Sequence, residues 1–408
     1  MASMEFNYFP TEVLMLIADY VYDLATYMED ASNRVELKQA AELQRQNTLY
    51  NFCLVSHQWY SVGVELLYRK PSISNGNRFL KFTQSVCPPI KTKNKTKSDR
   101  GSMIQVLDLG RLVHQSSNSV TARLLSKASE NMVSLTAPRV SFSLNGLAAL
   151  AKCQKLHNLD LSRVGDSSLS FPQLKKAISK LTNLRKLSLP IYIPLTRTLP
   201  TTGEWPTRLL GLTIGGHIDP DLMKGFDWPP NLMELYLSNC RNVDVTLLHN
   251  ILSNVGFQES LELFAVKPNC KTDGLFYNEG TGVLDDLYAL ENLEIPANLI
   301  RSLLLMENEI FTAFSFKTLW LTEPEGGVYP NDQDGVVPGD SPFVEDFIES
   351  LKKGPLSELW ELAAPYSFLE HYGLDPDMLD EIVSSHLDDV EDAELDEWGT
   401  DFGFQVLG

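Results

Sequence analysis

Nine times along the chain, apolar residues fall in the pattern apolar-x-x-apolar-x-apolar, at intervals of 23 to 29 residues. No other feature limits the fold as much. The copies are "IQVLDL" from Ile104, "MVSLTA" from Met132, "LHNLDL" from Leu156, "LRKLSL" from Leu184, "LLGLTI" from Leu209, "LMELYL" from Leu232, "LELFAV" from Leu261, "LENLEI" from Leu290 and "FKTLWL" from Phe316. Alternation in the closing positions is that of a strand with one face turned inward. Helical apolar spacing fills several intervals: "VTARLLSKA", "QLKKAISKL", "VTLLHNILS" and "PFVEDFIESLKK". One strand and one helix of this length cannot bury an apolar face alone. Stacked copies can, which predicts a curved parallel sheet with helices on its convex side. A tenth copy, "LSELWE" from Leu356, follows a 40-residue interval and is expected to break the pattern at Glu361.

These copies resemble leucine-rich repeats. "LMELYLSNCRNVDVTLLHNIL" fits best, with Cys240 where the cysteine-containing class of repeat places one; Val164 departs from that class. The solenoid is expected over residues 71–370, with "LYRKPSIS" feeding an irregular first strand and "NRFLKFTQSV" as its return helix. It is interrupted by a basic insertion at 88–103 and by a Gly-, Pro- and Asp-rich loop at 323–341.

Residues 1–70 follow a different pattern. "FPTEVLMLIADYVY", residues 9–22, reads as a helix with Pro10 in its first turn and Glu12 at the positive end of the dipole. A second helix is expected over 57–68, capped by Ser56. Both carry more apolar surface than a small bundle can turn inward: Val13, Leu14, Leu16, Ile17, Tyr20 and Val21 cannot share one face. The excess points to a partner. Here "FPTEVLMLIADYV" and "LYNFCLVSHQWYSVGVELLYRKP" resemble the F-box of fungal proteins, with Phe9, Pro10, Glu12, Val13, Ile17 and Val21 matching its first half. Leu54, Val55, Ser56 and Trp59 match the second.

The resemblance implies a small all-α three-helix motif ahead of an α/β repeat domain, and docking on a Skp-type adaptor of a cullin–RING ubiquitin ligase. It carries Pro10, Leu14 and Ile17 to the adaptor face, together with Phe9, Val13, Val21, Leu54, Val55 and Trp59. Trp59 is expected to be core first and contact second, because its line continues through Val62 and Leu66. One departure stands out: "SNRVELKQAAELQRQN" lengthens the motif and is expected to extend its second helix as a polar surface helix. The alternative is that it covers the adaptor face.

The remaining composition narrows the function. The net charge of −19 is local: from Glu358 to Asp401 there are fifteen acids, and no Lys or Arg follows Lys353. Without a basic face, nucleic acid is not the expected partner. The cluster "KTKNKTKSDR" at 91–100 reads as solvated loop. Five cysteines without a C-x-x-C pair suit reduced thiols and an intracellular address, cytoplasmic or nuclear. No apolar run reaches the roughly 18 residues of a membrane span. Phosphate-loop, nucleophile-elbow and zinc-protease motifs are missing and the seven histidines are scattered, so neither cofactor nor catalysis is expected.

A protein substrate is the expected ligand of the strands' solvent-facing positions. These are Asp108, Asn158, Asp160, Lys186, Ser188, Thr213, Glu234, Tyr236, Glu294 and Trp320, with Tyr236 and Trp320 as aromatic anchors. In the acidic tail, 371–408, "LDPDMLDEIVSSHLDDV" reads as a capping helix begun by Asp375 and Pro376. "EDAELDEWGTDFGFQVLG" is expected to be disordered, or else to fold back through Trp398, Phe402 and Phe404.

Overall fold

The computed structural model describes residues 9–30, 35–88, 99–112, 117–165, 169–196, 203–272, 284, 286–300, 317–325, 329, 342–354, 356–386 and 403–407. They form two compact units: residues 1–169 with 176–184, and residues 170–175 with 185–408.

The first unit opens with three helices, α1 (Thr11–Asp30), α2 (Val35–Leu54) and α3 (His57–Arg69). Pro10 precedes the first helix rather than joining it; its carbonyl accepts the Leu14 amide at 3.2 Å. Ser56 caps α3 as expected, accepting the Trp59 amide on its Oγ at 3.3 Å. Ala18, Leu49, Phe52 and Leu66 form the core of the bundle, with Val21, Tyr22, Trp59, Val62 and Leu67 packed around it. Gly63 lets α3 approach α2 closely, since a Cβ there would lie 2.7 Å from the Phe52 ring.

Helix α4 (Gly76–Val86) is the expected return helix, but residues 71–74 form no strand. Arg69 instead lends its carbonyl to the Gln105 amide at 3.0 Å, one residue before β1 (Val106–Asp108). Then come α5 (Asn118–Ala128), β2 (Ser134–Thr136), α6 (Leu144–Leu150) and β3 (Asn158–Asp160). The three strands pair in parallel, aligning Leu107, Leu135 and Leu159, all buried.

The second unit continues the pattern. Helix α7 (Phe171–Ile178) begins within it, and β4 (Lys186–Ser188), β5 (Gly211–Gly216), α8 (Pro220–Met223), β6 (Glu234–Cys240), α9 (Val245–Leu252), β7 (Leu263–Val266), β8 (Asn292–Pro296) and β9 (Thr318–Thr322) follow. After α10 (Pro342–Lys353) come β10 (Glu361–Pro365), α11 (Tyr366–Tyr372), α12 (Pro376–Ser385) and β11 (Gly403–Leu407). Each strand from β4 to β11 pairs in parallel with the next. One buried ladder runs through Leu187, Leu212, Leu235, Phe264, Leu293, Leu319 and Leu362. The core also holds an aromatic row of Phe171, Trp205, Phe226, Trp228 and Phe257. Lys175 is buried beside it, bonded to Asp227 and 5.0 Å from the Trp205 ring centre.

Two expectations are corrected at the C-terminal end. Leu362, not Leu359, stands opposite Leu319, and Glu361 stands opposite Thr318. The tenth copy is therefore "LWELAA" from Leu359, and Glu361 extends the strand instead of breaking it. Both registers satisfy apolar-x-x-apolar, so only the neighbouring strand decides between them. The tail is also more ordered than expected: residues 403–407 form β11, paired along β10 from Glu361–Gly403 to Pro365–Leu407. The expected capping helix is α12, begun by Asp375 and Pro376, with Leu379, Ile382 and Val383 buried. Its Asp380 carboxylate accepts the Phe404 amide at 3.0 Å, which ties β11 to the helix. Trp398 and Phe402, most of the basic cluster, and most of the 323–341 loop lie outside the described residues.

Candidate functional site

Helix α1 carries two apolar stripes. Leu14, Ala18 and Val21 turn inward at helical spacing. Val13, Leu16, Ile17 and Tyr20, at i, i+3, i+4 and i+7, all point to solvent; Leu16 is 69% and Tyr20 67% exposed. The outward stripe needs cover that the three helices do not supply. Phe9 and Pro10 extend it at the start of the helix, both exposed. The Phe9 ring meets Trp59 edge-on at 6.2 Å, and Gln58 donates from Nε2 to the Phe9 carbonyl at 2.5 Å. The start of α1 therefore lies beside the start of α3, where Leu54 and Val55 are also exposed.

Leu14 must be corrected. It is 0% exposed and belongs to the core, because one residue is 100° of helix and Val13 already occupies the outer stripe. Val21 is likewise half-buried against the core, and Trp59 packs on Phe52 at 4.6 Å, with only part of its ring left open. Leu16 and Tyr20, which the resemblance does not carry to the adaptor face, lie on this outward stripe, and their spacing from Val13 was the available signal.

The lengthened second helix does more than lie on the surface. Its Glu42 holds Arg111 at 3.0 Å, and buried Arg45 donates to the Lys70 carbonyl at 3.0 Å. Gln46 accepts the Ser72 amide at 3.0 Å and donates to the Leu67 carbonyl at 3.4 Å. Arg45 and Arg69 both face the Tyr22 ring, 5.3 and 5.2 Å from its centre. These contacts bracket the bundle to the first repeat, while the outward stripe of α1 stays open among the described residues.

Among the strand positions, Asn158, Lys186 and Trp320 are exposed; Asp108, Asp160, Ser188, Thr213, Glu234, Tyr236 and Glu294 are half-buried. Many already have partners. Asp108 and Asp160 accept the Gly110 and Ser162 amides at 2.8 and 2.9 Å, closing turns after their strands. Lys186 reaches across β5 to both oxygens of Glu234, at 2.9 and 2.8 Å. Gly211 stands between them in register, and a Cβ there would lie 3.2 Å from Glu234 Oε2 and 3.3 Å from Lys186 Cγ.

The Tyr236 hydroxyl donates to Glu234 at 3.0 Å, while Lys267 sits 5.3 Å from its ring centre and pairs with Glu294 at 2.5 Å. Burial first, then the Glu234 charge, pushes the Tyr236 phenol well above its ordinary value. The Trp320 indole donates to Glu361 at 3.0 Å and leaves the ring 41% exposed. Charge pairs thus knit one strand to the next, and Trp320 is the large apolar side chain this row leaves open.

Among the described residues no group of three or more His, Cys, Asp or Glu could hold a metal ion, and no helix is long and apolar enough to cross a membrane. All five cysteines are buried and unbridged, and burial raises the Cys153 thiol to about 12.

Three N-terminal helices with an open apolar stripe, followed by strand-and-helix copies in parallel register, fit the arrangement that the resemblance to F-box proteins with leucine-rich repeats implies. The chain is similar to F-box protein YDR306C of Saccharomyces cerevisiae, 26% identical over 236 residues that cover 56% of this chain and 47% of that protein. It is also similar to Protein pof5 of Schizosaccharomyces pombe, 23% identical over 197 residues covering 48% of this chain and 53% of that one. The chain thus spans about half the length of these curated relatives. No family model matches. A solved internalin C2 of Listeria monocytogenes is 16% identical with a TM-score of 0.30, covering 59% of this chain and 92% of that one. The repeat fold rests on the strand pairing, not on that likeness.

Proposed function

We propose that the chain is the substrate-recognition subunit of a Skp–cullin–F-box type ubiquitin ligase and not itself an enzyme. The observation that carries this reading is the outward stripe Val13, Leu16, Ile17 and Tyr20 on a helix that already buries a separate stripe. An adaptor laid on it, with Phe9, Pro10, Leu54 and Val55 at its margin, removes that apolar surface from water at about 25 cal/mol per Å². The strand face of the second unit then holds a protein substrate, with Trp320 as anchor and Lys186 as an exposed polar contact. The mechanism is proximity: the helices fix the chain to the ligase, and the repeats present the target. Buried, unbridged thiols suit a reducing intracellular compartment.

Co-purification of the full chain with a Skp-type adaptor tests this. The reading expects stoichiometric capture that is lost in a Leu16→Asp, Tyr20→Asp variant of unchanged melting temperature. A folded chain that captures no adaptor overturns it. One observation favours a second reading, a non-ligase interaction scaffold whose helices serve folding: Glu42, Arg45 and Gln46 bind the helices to the first repeat as an N-terminal cap would.

A further inference from the structure

A cavity of about 510 Å³ opens within the first unit. Its walls include four rings, those of Tyr50, Tyr60, Tyr68 and Phe82. Several are fixed before anything binds. Tyr68 and Phe82 stack at 6.1 Å and 28°, and the Tyr68 hydroxyl donates to Ser85 Oγ at 3.2 Å. Three cations face the same space: Arg78 and Lys81, one turn apart on α4, and Arg100. The Arg100 guanidinium lies 5.6 Å from the Tyr68 ring centre and 3.4 Å from the Tyr60 hydroxyl, so the Tyr68–Arg100–Tyr60 wall is held together. No Asp or Glu lines the cavity among the described residues, and none of them forms an ion pair with Arg78 or Lys81.

An apolar space with converging cations and no carboxylate has a definite complement. The rings offer flat faces to a planar body, and guanidinium and ammonium groups offer charge-assisted donors to an acid. The volume lies within the roughly 300–1,000 Å³ of small-molecule sites. We infer that this cavity binds a small organic anion: a flat apolar or aromatic body bearing a carboxylate, sulfate or phosphate. The rings take the body, and Arg78, Lys81 and Arg100 take the charge. None of the four residues of the outward α1 stripe lines the cavity, although Leu54, placed at the margin of that stripe, does.

The test uses 8-anilinonaphthalene-1-sulfonate as the anionic probe and N-phenyl-1-naphthylamine as its uncharged counterpart, each titrated by fluorescence into the full chain. One saturable site is expected for the sulfonate. Arg78→Glu with Lys81→Glu is expected to weaken it roughly tenfold or more without moving the melting temperature, as loss of charged contacts does. Leu16→Asp is expected to leave it unchanged, and the uncharged probe to bind roughly tenfold more weakly. Absence of a saturable site overturns the inference. So does loss of the signal on Leu16→Asp with retention in the cavity variant, which would place the probe on α1. Equal binding of the two probes would remove the role of charge and overturn it as well.

Discussion

The outer face of α1 and the solvent side of the repeat strands are both exposed, yet they are built on opposite terms. On α1, Val13, Leu16, Ile17 and Tyr20 stay exposed among the described residues, and the described core of the bundle does not include them. On the strands, Lys186 is paired with Glu234, Glu234 with Tyr236, Lys267 with Glu294, and Trp320 with Glu361. The first surface gains free energy from any apolar cover. The second must exchange existing bonds for new ones, so its ligand gains little from charge and more from shape. Under the proposed function, an adaptor on α1 is therefore expected to gain mainly from apolar cover, and a substrate on the strands mainly from shape.

The largest effect that could break this contrast lies within one helix turn. Leu14→Ala should cost about 2–5 kcal/mol of stability, as large-to-small changes in a packed core do. Leu16→Ala, two residues on, should stay within about 0.5 kcal/mol. Paired denaturant melts check both. Equal losses would mean that the outward stripe is covered within the chain.

Next is the labelling of thiols. All five cysteines are buried, and Cys153 is held near 12 by its surroundings, so a thiol-specific reagent at neutral pH should leave the folded chain nearly unlabelled. All five should react in denaturant. Rapid labelling of Cys53 alone would show that the bundle opens more readily than the repeats.

Smaller effects belong to the strand face. Removing the Lys186–Glu234 pair with Lys186→Met should change stability by only about 0–1 kcal/mol, because both partners are partly in water. Gly211→Ala should be felt at the same pair, since the new Cβ meets both side chains, and the bridge should loosen. A double-mutant cycle of Lys186→Met with Gly211→Ala reads the coupling.

The smallest effect is alkaline. The folded chain raises the Tyr236 phenol, so the folded state holds this proton more strongly than the unfolded state does. Its contribution to stability is full below the ordinary phenol value near ~10 and is lost as pH rises toward the folded value. Tyr236→Phe should flatten that part of the stability–pH curve; an unchanged curve would contradict it.

The repeats were legible because each strand declares its own alternation, and nine agreeing registers outweigh the irregular ones. Beyond that, the sequence lacked information that only pairing provides. "LSEL" and "LWEL" are equivalent until Leu319 selects Leu362. The strand Gly403–Leu407 has no repeat prelude, and its order comes from β10 alongside and from Asp380 on α12. In the site, the excess of apolar residues on α1 was readable, but not which stripe faced outward. Leu14 and Leu16 differ only in rotation, and the inward side of α1 is the one whose Ala18 packs with Leu49 and Phe52 of α2 and Leu66 of α3. The bridge from Lys186 to Glu234 required knowing that Gly211 intervenes in register.

Hydrogen–deuterium exchange on the full chain, with and without a purified Skp-type adaptor, would show whether the outer face of α1 is an adaptor site. New protection is expected at residues 9–20 and 54–60, with the strands from 186 to 322 unchanged. Protection concentrated in those strands, with 9–20 still exchanging as in the free chain, would contradict it.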